Sequence, residues 1–387
     1  MSITDVPGFV AAGVAAGIKG EGAPDLALVA TTGDRAVPAA GVFTRNLMTA
    51  APVRVTRDHL QSSAGYANAV LLNSGNANAA TGEAGMRDAE EMCARVAAEL
   101  GVDRHHVLVC STGLIGIPMP IDVVSAAIPG LVAARSAAGG PDAAGAIMTT
   151  DTHPKQVLVE GDGFVVGGMA KGAAMLSPDM ATMLAVLVTD AEATPAQLKT
   201  ALVRGVEHSF NTLDVDGCTS TNDTVLLFAG GTAGPVAQDA LDRAVAAACA
   251  DLAGQMAGDA EGATKVVRFQ VVGAHSDEEA LVGARAVARS QLVKCSWYGQ
   301  DPYWGRIASD LGSCGIQFDP ELFSLCYGDV RVCRGGVTID HDEAAVTAHM
   351  AGRHLEILAD LGIGAGRATI LTNDLTHAYV DENMGTS

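Results

Sequence analysis

The chain has 387 residues, which is enough for two domains or for one large two-lobed unit. It is 49% hydrophobic but only 4% aromatic, so its core must be built mainly from Ala, Val, Leu and Ile. The formal net charge of −20 argues against nucleic acid and against an anionic membrane as partners, because both bind surfaces rich in Lys and Arg.

Strand-like and helix-like segments are interleaved along the chain, which predicts a mixed α/β protein. Short apolar runs predict buried strands at residues 26–30, 69–72, 107–110, 164–166, 183–188, 225–228, 266–272 and 368–371. Helical patterns cover residues 86–100, 123–134, 195–210, 237–256, 277–292 and 341–350. Thr194 and Ser276 are expected N-caps, and the Gly-Gly-Pro-Asp sequence at 139–142 is expected to be a loop.

The cysteines and histidines form no recognisable ligand pattern. None of the eight cysteines forms a Cys-x-x-Cys pair, so buried, reduced thiols are expected. The ten histidines form no metal-binding motif, and we expect neither a metal site nor a cofactor. Because no secretory signal or membrane span is apparent, the predicted location is the cytoplasm.

The most informative segment is MAKGAAMLSPDMATML at residues 169–184, in which an apolar run follows Ala181 and Thr182. A threonine hydroxyl is a weak nucleophile unless a base lies beside it. A cut before Thr182 would supply that base, because the new α-amino group has a pKa of about 7.7–8. On spacing alone, however, a buried threonine at the start of a strand is the better interpretation.

The complete string resembles the self-cleaving ornithine acetyltransferase family of the arginine pathway. Further matching segments follow in the same order at residues 12–19, 41–46, 73–78, 111–116, 148–151, 220–224, 259–265 and 374–380. The resemblance implies the mixed-sheet, two-lobed α/β fold of the self-cleaving ornithine acetyltransferase and aminopeptidase type. It also implies a cut into an alpha chain, 1–181, and a beta chain, 182–387, which remain interleaved and pair into an α2β2 heterotetramer.

The same resemblance implies a glutamate N-acetyltransferase that moves acetyl from N2-acetylornithine to glutamate through an acetylated Thr182. Some members also take acetyl from acetyl-CoA, and the motifs do not distinguish the two types. Thr112 and Gly113 would form the oxyanion hole. The resemblance further implies substrate-binding roles for Thr149, Lys171, Thr182, Glu261, Asn383 and Ser387.

Two departures from the family pattern keep other functions open. Tyr303 stands where the family has Asn, and an amide's paired donor and acceptor are lost there. The tail after Asn383 is one residue short and has no aromatic residue, so Thr386 competes with Ser387. The alternatives are a paralogue that acetylates another amine, an amidohydrolase or aminopeptidase in which water takes the acyl group, and a non-catalytic homologue that is never cut.

Two glycine-rich segments have no assigned role. Residues 73–78 are interpreted either as a backbone nest that binds an anion or as a simple turn. Residues 362–366 superficially resemble a phosphate loop, but a strand rather than a helix is predicted after them, so a turn is expected.

Overall fold

The computed structural model describes residues 1–177 and 183–384 and divides into two compact units. Unit 1 comprises residues 1–211 and 218–256, and unit 2 comprises residues 212–217 and the chain from residue 257 onward. The expected cut between residues 181 and 182 falls within the sequence of unit 1 and not at a unit boundary. It stays a prediction about a covalent bond.

The secondary structure alternates between strands and helices, as expected for a mixed α/β protein. The strands are β1 (Phe9–Val14), β2 (Leu26–Thr31), β3 (Val37–Phe43), β4 (Tyr66–Ala67), β5 (Ala69–Asn73), β6 (Val107–Ser111), β7 (Lys155–Glu160), β8 (Val165–Lys171), β9 (Leu184–Glu192), β10 (Leu213–Asp214), β11 (Thr224–Pro235), β12 (Val266–Ala274), β13 (Ser324–Tyr327), β14 (Val330–Arg334), β15 (Val337–Thr338), β16 (His354–Asp360) and β17 (Gly366–Asn373). The helices are α1 (Ala51–Ser62), α2 (Gly82–Leu100), α3 (Ile121–Ala134), α4 (Gly140–Ala146), α5 (Pro195–Glu207), α6 (Gln238–Gly258), α7 (Asp277–Arg289), α8 (Gln291–Tyr298), α9 (Gly305–Ser313), α10 (Glu343–Ala351) and α11 (His377–Glu382). Short 3-10 helices cover Ile3–Asp5, Gly20–Gly22, Arg104–His106 and Phe210–Thr212.

Unit 1 contains two sheets, with strand orders β1-β2-β5-β6 and β4-β3-β11-β9-β8-β7. Alternate residues of β9, Leu184, Val186 and Val188, share one apolar core with Val70 and Leu72 of β5, so the two sheets pack face to face. Helices α1, α2 and α3 cover the outer face of the first sheet, and α5 packs on β3 and β11 of the second. These four helices lie on the outer faces of the sheets, whereas α4 contributes Ala143, Ala144 and Ala146 to the core between them.

Unit 2 contains one mixed sheet with strand order β10-β17-β12-β16-β13-β14-β15. Strand β12 pairs in parallel with β16 and antiparallel with β17. Its inward residues Val267, Phe269 and Val271 belong to a core that also includes buried residues of α7, α8, α9 and α10, among them the fully buried Trp297. These helices cover one face of the sheet.

Most of the predicted strands and helices are confirmed, but several predicted boundaries are wrong. The single helix predicted at 277–292 is two helices, because Ser290 is extended (ψ 111°) and its side chain caps α8 by accepting from the Val293 N–H. The loop predicted at 139–142 begins α4, whose first turn tolerates Pro141 because the missing N–H would have no partner there. The helix predicted at 195–210 ends at Glu207.

Thr194 caps α5 as predicted, in a reciprocal capping box with Gln197. No disulfide joins the eight cysteines, but the prediction that they are buried is wrong for Cys218 and Cys295, which are exposed. Over residues 1–177 and 183–384, no helix has both the length and the apolar character needed to cross a membrane.

Candidate functional site

The loop after β6 carries Thr112 and Gly113 and is held against the turn that follows β5. The Thr112 N–H donates to the Asn73 carbonyl at 3.0 Å. Gly113 has a φ of 132°, and a Cβ on it would lie 2.2 Å from the carbonyl carbon of Gly75. Only glycine fits this position, because the two backbones approach too closely for any side chain.

The segment 73–78 is the scaffold of that loop. The Asn76 side chain donates to the carbonyl of Pro118 at 3.0 Å, and the Ala77 N–H donates to the carbonyl of Leu114 at 3.0 Å. These polar groups bind other parts of the chain and are therefore not available to an anion. Of the two interpretations made from the sequence, the structure supports the turn.

Lys171, the last residue of β8, is buried beside Thr112. Its Nζ donates a hydrogen bond of 3.2 Å to Thr112 Oγ1. An ammonium group has donors only, so Thr112 must accept, and its own hydroxyl hydrogen is directed elsewhere. A threonine oriented in this way is suited to donate to a negatively charged oxygen.

Asp151 connects Lys171 to Thr149. Its Oδ1 accepts from Lys155 Nζ at 2.6 Å and from the Gly172 N–H at 2.7 Å, while Oδ2 accepts from the Thr149 N–H at 3.1 Å. Burial would raise the pKa of Asp151, but the ammonium groups of Lys171 and Lys155 outweigh it and lower that pKa to about 2. Asp151 is therefore ionised at neutral pH and orients the backbone of Thr149.

Asn222 and Asp223 precede β11 and contact two other parts of unit 1. Asn222 Nδ2 donates to the carbonyls of Ser111 at 2.9 Å and Ala77 at 2.6 Å. Asp223 Oδ1 accepts from the Met183 N–H at 2.9 Å. One buried segment thus contacts both the loop of Thr112 and the start of the segment after residue 182.

Glu261 and Asn383, predicted from distant parts of the sequence, meet within unit 2. Asn383 Nδ2 donates to Glu261 Oε2 at 2.7 Å and to the Tyr379 carbonyl at 2.9 Å. Gly262 has a φ of 61°, and a Cβ there would lie 2.4 Å from the Tyr379 nitrogen. The close approach of these two segments holds Glu261, which is 7% exposed, against the exposed Asn383.

Tyr303, the departure from the family pattern, lies in unit 2 with 59% of its surface exposed. The guanidinium of Arg306 lies 6.0 Å from the centre of its ring, and Arg306 also pairs with Asp301 at 3.4 Å. The Arg306 cation therefore lies on one side of the exposed Tyr303 ring.

Four predicted positions, Ala181, Thr182, Thr386 and Ser387, lie outside the described residues. Their proposed roles rest on the sequence. Of the remaining predicted residues, the structure brings Thr112, Gly113, Lys171 and Thr149 together in unit 1, and Glu261 and Asn383 together in unit 2.

Sequence reasoning assigned no role to Asp151, Lys155, Asn222 or Asp223. Asp151, Asn222 and Asp223 lie in segments that resemble the family, yet their partners are far away in the chain, so local patterns could not reveal them. The buried ion pair of Lys155 could have been predicted from one feature of the sequence. It is a charged residue at the start of an apolar strand, and a charge on a buried strand requires an oppositely charged partner.

The chain is similar to known proteins over nearly its whole length. The ArgJ family profile matches residues 10–385. The arginine biosynthesis bifunctional protein ArgJ of Mycobacterium leprae (strain TN) is 49% identical over 394 residues, covering 100% of this chain and 95% of that protein. The arginine biosynthesis bifunctional protein ArgJ of Thermobifida fusca (strain YX) is 45% identical over 388 residues, covering 100% of both chains. The solved structure of the ornithine acetyltransferase of Mycobacterium tuberculosis, complexed with ornithine, is 44% identical and covers 46% of this chain and 94% of that chain, with a TM-score of 0.42. The chain therefore belongs to the ArgJ family and is an acetyltransferase of arginine biosynthesis.

Proposed function

We propose that this chain cuts itself between Ala181 and Thr182 and then moves acetyl from N2-acetylornithine to glutamate. Thr182 is the nucleophile in both processes. The Thr112 hydroxyl and the Gly113 N–H are the donors that stabilise the tetrahedral oxyanions. Lys171, Thr149, Glu261, Asn383 and Ser387 bind the substrates.

In the maturation step the Thr182 hydroxyl attacks the Ala181 carbonyl carbon, and the C–N bond breaks as the hydroxyl proton passes to the Thr182 nitrogen. Water then hydrolyses the resulting ester, which leaves a carboxylate on Ala181 and a free α-amino group on Thr182. That amino group is the base for the transfer reaction.

In the transfer reaction the Thr182 oxygen attacks the acetyl carbonyl of N2-acetylornithine, and the Thr182 proton passes through the α-amino group to the departing amine of ornithine. An acetyl ester of Thr182 results. The amine of glutamate then attacks this ester, and its proton returns to the Thr182 oxygen as N-acetylglutamate is released.

The observation that carries this proposal is the hydrogen bond from Lys171 to Thr112. It leaves the Thr112 hydroxyl hydrogen available, next to the amide of Gly113, an exposed residue that has no side chain. Two donors already in place are what acyl transfer requires, because the developing charge is stabilised by groups that need no reorganisation. The Met183 amide, covalently joined to Thr182, belongs to the same unit.

Three further features belong to the proposal. The relatives are named bifunctional proteins, which supports acetyl-CoA as a second acetyl donor. We also propose that the two fragments pair into an α2β2 assembly and that the protein acts in the cytoplasm.

Intact-mass spectrometry of the purified protein, before and after N2-acetylornithine is added, tests the proposal. We expect two fragments whose masses sum to that of the uncut chain plus one water. The fragment 182–387 should gain one acetyl group with the donor and lose it when glutamate is added. Thr182→Ala should give one uncut chain without transfer, whereas the matched variant Thr182→Ser keeps a hydroxyl and should still be cut.

The rival functions give different results in the same assay. Free acetate without N-acetylglutamate would identify an amidohydrolase. An acetyl-enzyme that glutamate does not discharge would identify a paralogue with another acceptor amine. One uncut mass without an adduct would identify the non-catalytic homologue.

A further inference from the structure

Asn222 and Asp223 are adjacent residues whose side chains bind the two halves of the proposed reaction centre. Asn222 holds the carbonyl of Ser111, the residue just before Thr112, at 2.9 Å. Asp223 holds the Met183 N–H at 2.9 Å. The nitrogen of Met183 is the backbone atom that follows Thr182 in the chain, so this contact holds the backbone directly after the proposed nucleophile.

The segment that carries these two side chains is itself firmly held. Thr44 Oγ1 donates to the Ser220 carbonyl at 2.7 Å, and the Ala50 N–H donates to the Thr221 carbonyl at 3.0 Å. Ser220, Thr221, Asn222 and Asp223 are all buried. A rigid segment that binds two groups sets the distance between them.

The environment of Asp223 is unusual for a structural carboxyl group. The side chain is fully buried, and no described residue donates a hydrogen bond to its Oδ2. Burial raises the pKa of Asp223 well above its ordinary value, against the opposing effects of the Met183 N–H, the Lys171 ammonium and a hydrogen bond with the Ser220 side chain. An unsatisfied buried oxygen costs free energy, which an apolar residue of the same size would avoid.

We propose that Asp223 is a positioning residue: it holds the Met183 amide, the backbone group that follows the proposed nucleophile Thr182, while Asn222 holds the loop that carries Thr112 and Gly113. This inference rests on the proposed function, since it requires Thr182 to be the nucleophile. Asp223 acts through Met183 and takes no part in bond making. Its effect is therefore on the turnover number and on self-cleavage, and not on substrate affinity.

The test compares Asp223→Ala with Asp223→Asn and with a matched control. The alanine variant loses the acceptor for the Met183 N–H, whereas asparagine keeps an oxygen that can accept it. The control is Asp190→Ala. Asp190 lies on β9, the strand that begins at Leu184, directly after Met183. Asp190 is also buried and also accepts a backbone N–H, from Val165 at 2.8 Å, at the other end of β9.

The rate of self-cleavage is followed by pulse-chase labelling, and kcat and KM for acetyl transfer are measured on the cleaved protein. We expect Asp223→Ala to lower kcat and the cleavage rate by about 100-fold, the effect of misplacing a reacting group by about 1 Å, with little change in KM. Asp223→Asn should recover most of that loss. Asp190→Ala should lower the melting temperature and change neither rate.

Two results would overturn the inference while leaving the proposed function intact. One is a fully cut Asp223→Ala protein with the turnover number of the parent chain. The other is an equal loss in Asp190→Ala, which would assign the effect to buried carboxyl groups in general. If Asp223→Ala does not fold, Asp223→Thr fills more of the space but is too short to reach the amide, and the same expectations apply. An uncut parent chain would overturn the proposed function itself, and this inference with it.

Discussion

Lys171 and Thr112 are 59 residues apart in the chain, yet Lys171 Nζ lies 3.2 Å from Thr112 Oγ1 in a site where both side chains are buried. The contact joins the end of one sheet's strand, β8, to the loop that follows β6 of the other sheet. The orientation of the Thr112 hydroxyl therefore depends on the packing of the two sheets against each other.

Replacing Lys171 should impair transfer. Lys171→Met keeps the length of the side chain but removes the donor to Thr112, and we expect kcat/KM to fall about 100-fold because an oxyanion donor loses its orientation. Steady-state acetyl transfer measures the effect. Lys199→Met is the control, since Lys199 lies on α5 of the same unit, is exposed, and donates to the Gly41 carbonyl at 2.7 Å. Equal losses in both variants would contradict the prediction.

Gly113 should not tolerate a side chain. Gly113→Ala would place a Cβ 2.2 Å from the Gly75 backbone, and we expect a loss of about 3 kcal/mol in the free energy of unfolding together with loss of transfer. Gly116→Ala is the matched control, because Gly116 also has a positive φ, 82°, but an added Cβ would meet nothing within 4 Å. It should cost only about 1 kcal/mol of backbone strain. Urea unfolding distinguishes the two, and similar costs would refute the steric explanation.

The buried carboxylate of Asp151 should make stability depend on pH in the acid range. Its folded pKa of about 2 lies below the ordinary value of 3.8, so its ionised form stabilises the fold above about pH 4, and this stabilisation is lost as the pH falls towards 2. The difference in unfolding free energy between the parent chain and Asp151→Asn should therefore shrink by about 2 kcal/mol over that interval.

Urea unfolding at several pH values tests this expectation. Asp142→Asn provides the comparison, since Asp142 is exposed at the start of α4. A difference between Asp151→Asn and the parent chain that stays constant from pH 5 to the lowest measurable pH would show that the carboxylate titrates normally.

Asn383 should affect substrate binding through Glu261. Asn383→Ala removes the donor at 2.7 Å from Glu261, and we expect KM for N2-acetylornithine to rise about tenfold, the usual effect of losing one hydrogen bond to a charged group. Asn383→Asp has the same shape but places a second negative charge there, so its KM should rise further. An unchanged KM in both variants would remove Asn383 from the binding site.

The sequence predicted the parts of this protein that depend on local patterns. Strands such as residues 107–110 and 266–272 appeared as apolar runs, and the Thr194 cap was recognisable from its neighbours. The break at Ser290 was not predicted, because the apolar spacing continues through it and only the backbone direction changes. The site could be predicted only as far as the family resemblance named its residues.

Contacts between residues far apart in the chain could not be predicted from the sequence. Nothing near Asp151 in the chain indicates that it accepts from Gly172, and nothing near Asp223 points to Met183. Such pairs are created when sheets and strands come together, so the fold had to be seen before they could be assigned.

Strand β8 pairs antiparallel with β9, and Lys171 lies opposite Leu184. This pairing affects how the protein can refold after the proposed cut. The proposed cut separates two strands that are hydrogen-bonded neighbours in one sheet, so the fragments stay joined only by noncovalent contacts. Once such a nicked protein is denatured, its recovery would require two chains to meet, and the yield would depend on concentration. The uncut precursor needs no such encounter, because it refolds as a single chain. Folding must therefore precede the cut, and after the cut each molecule loses the ability to refold as one chain.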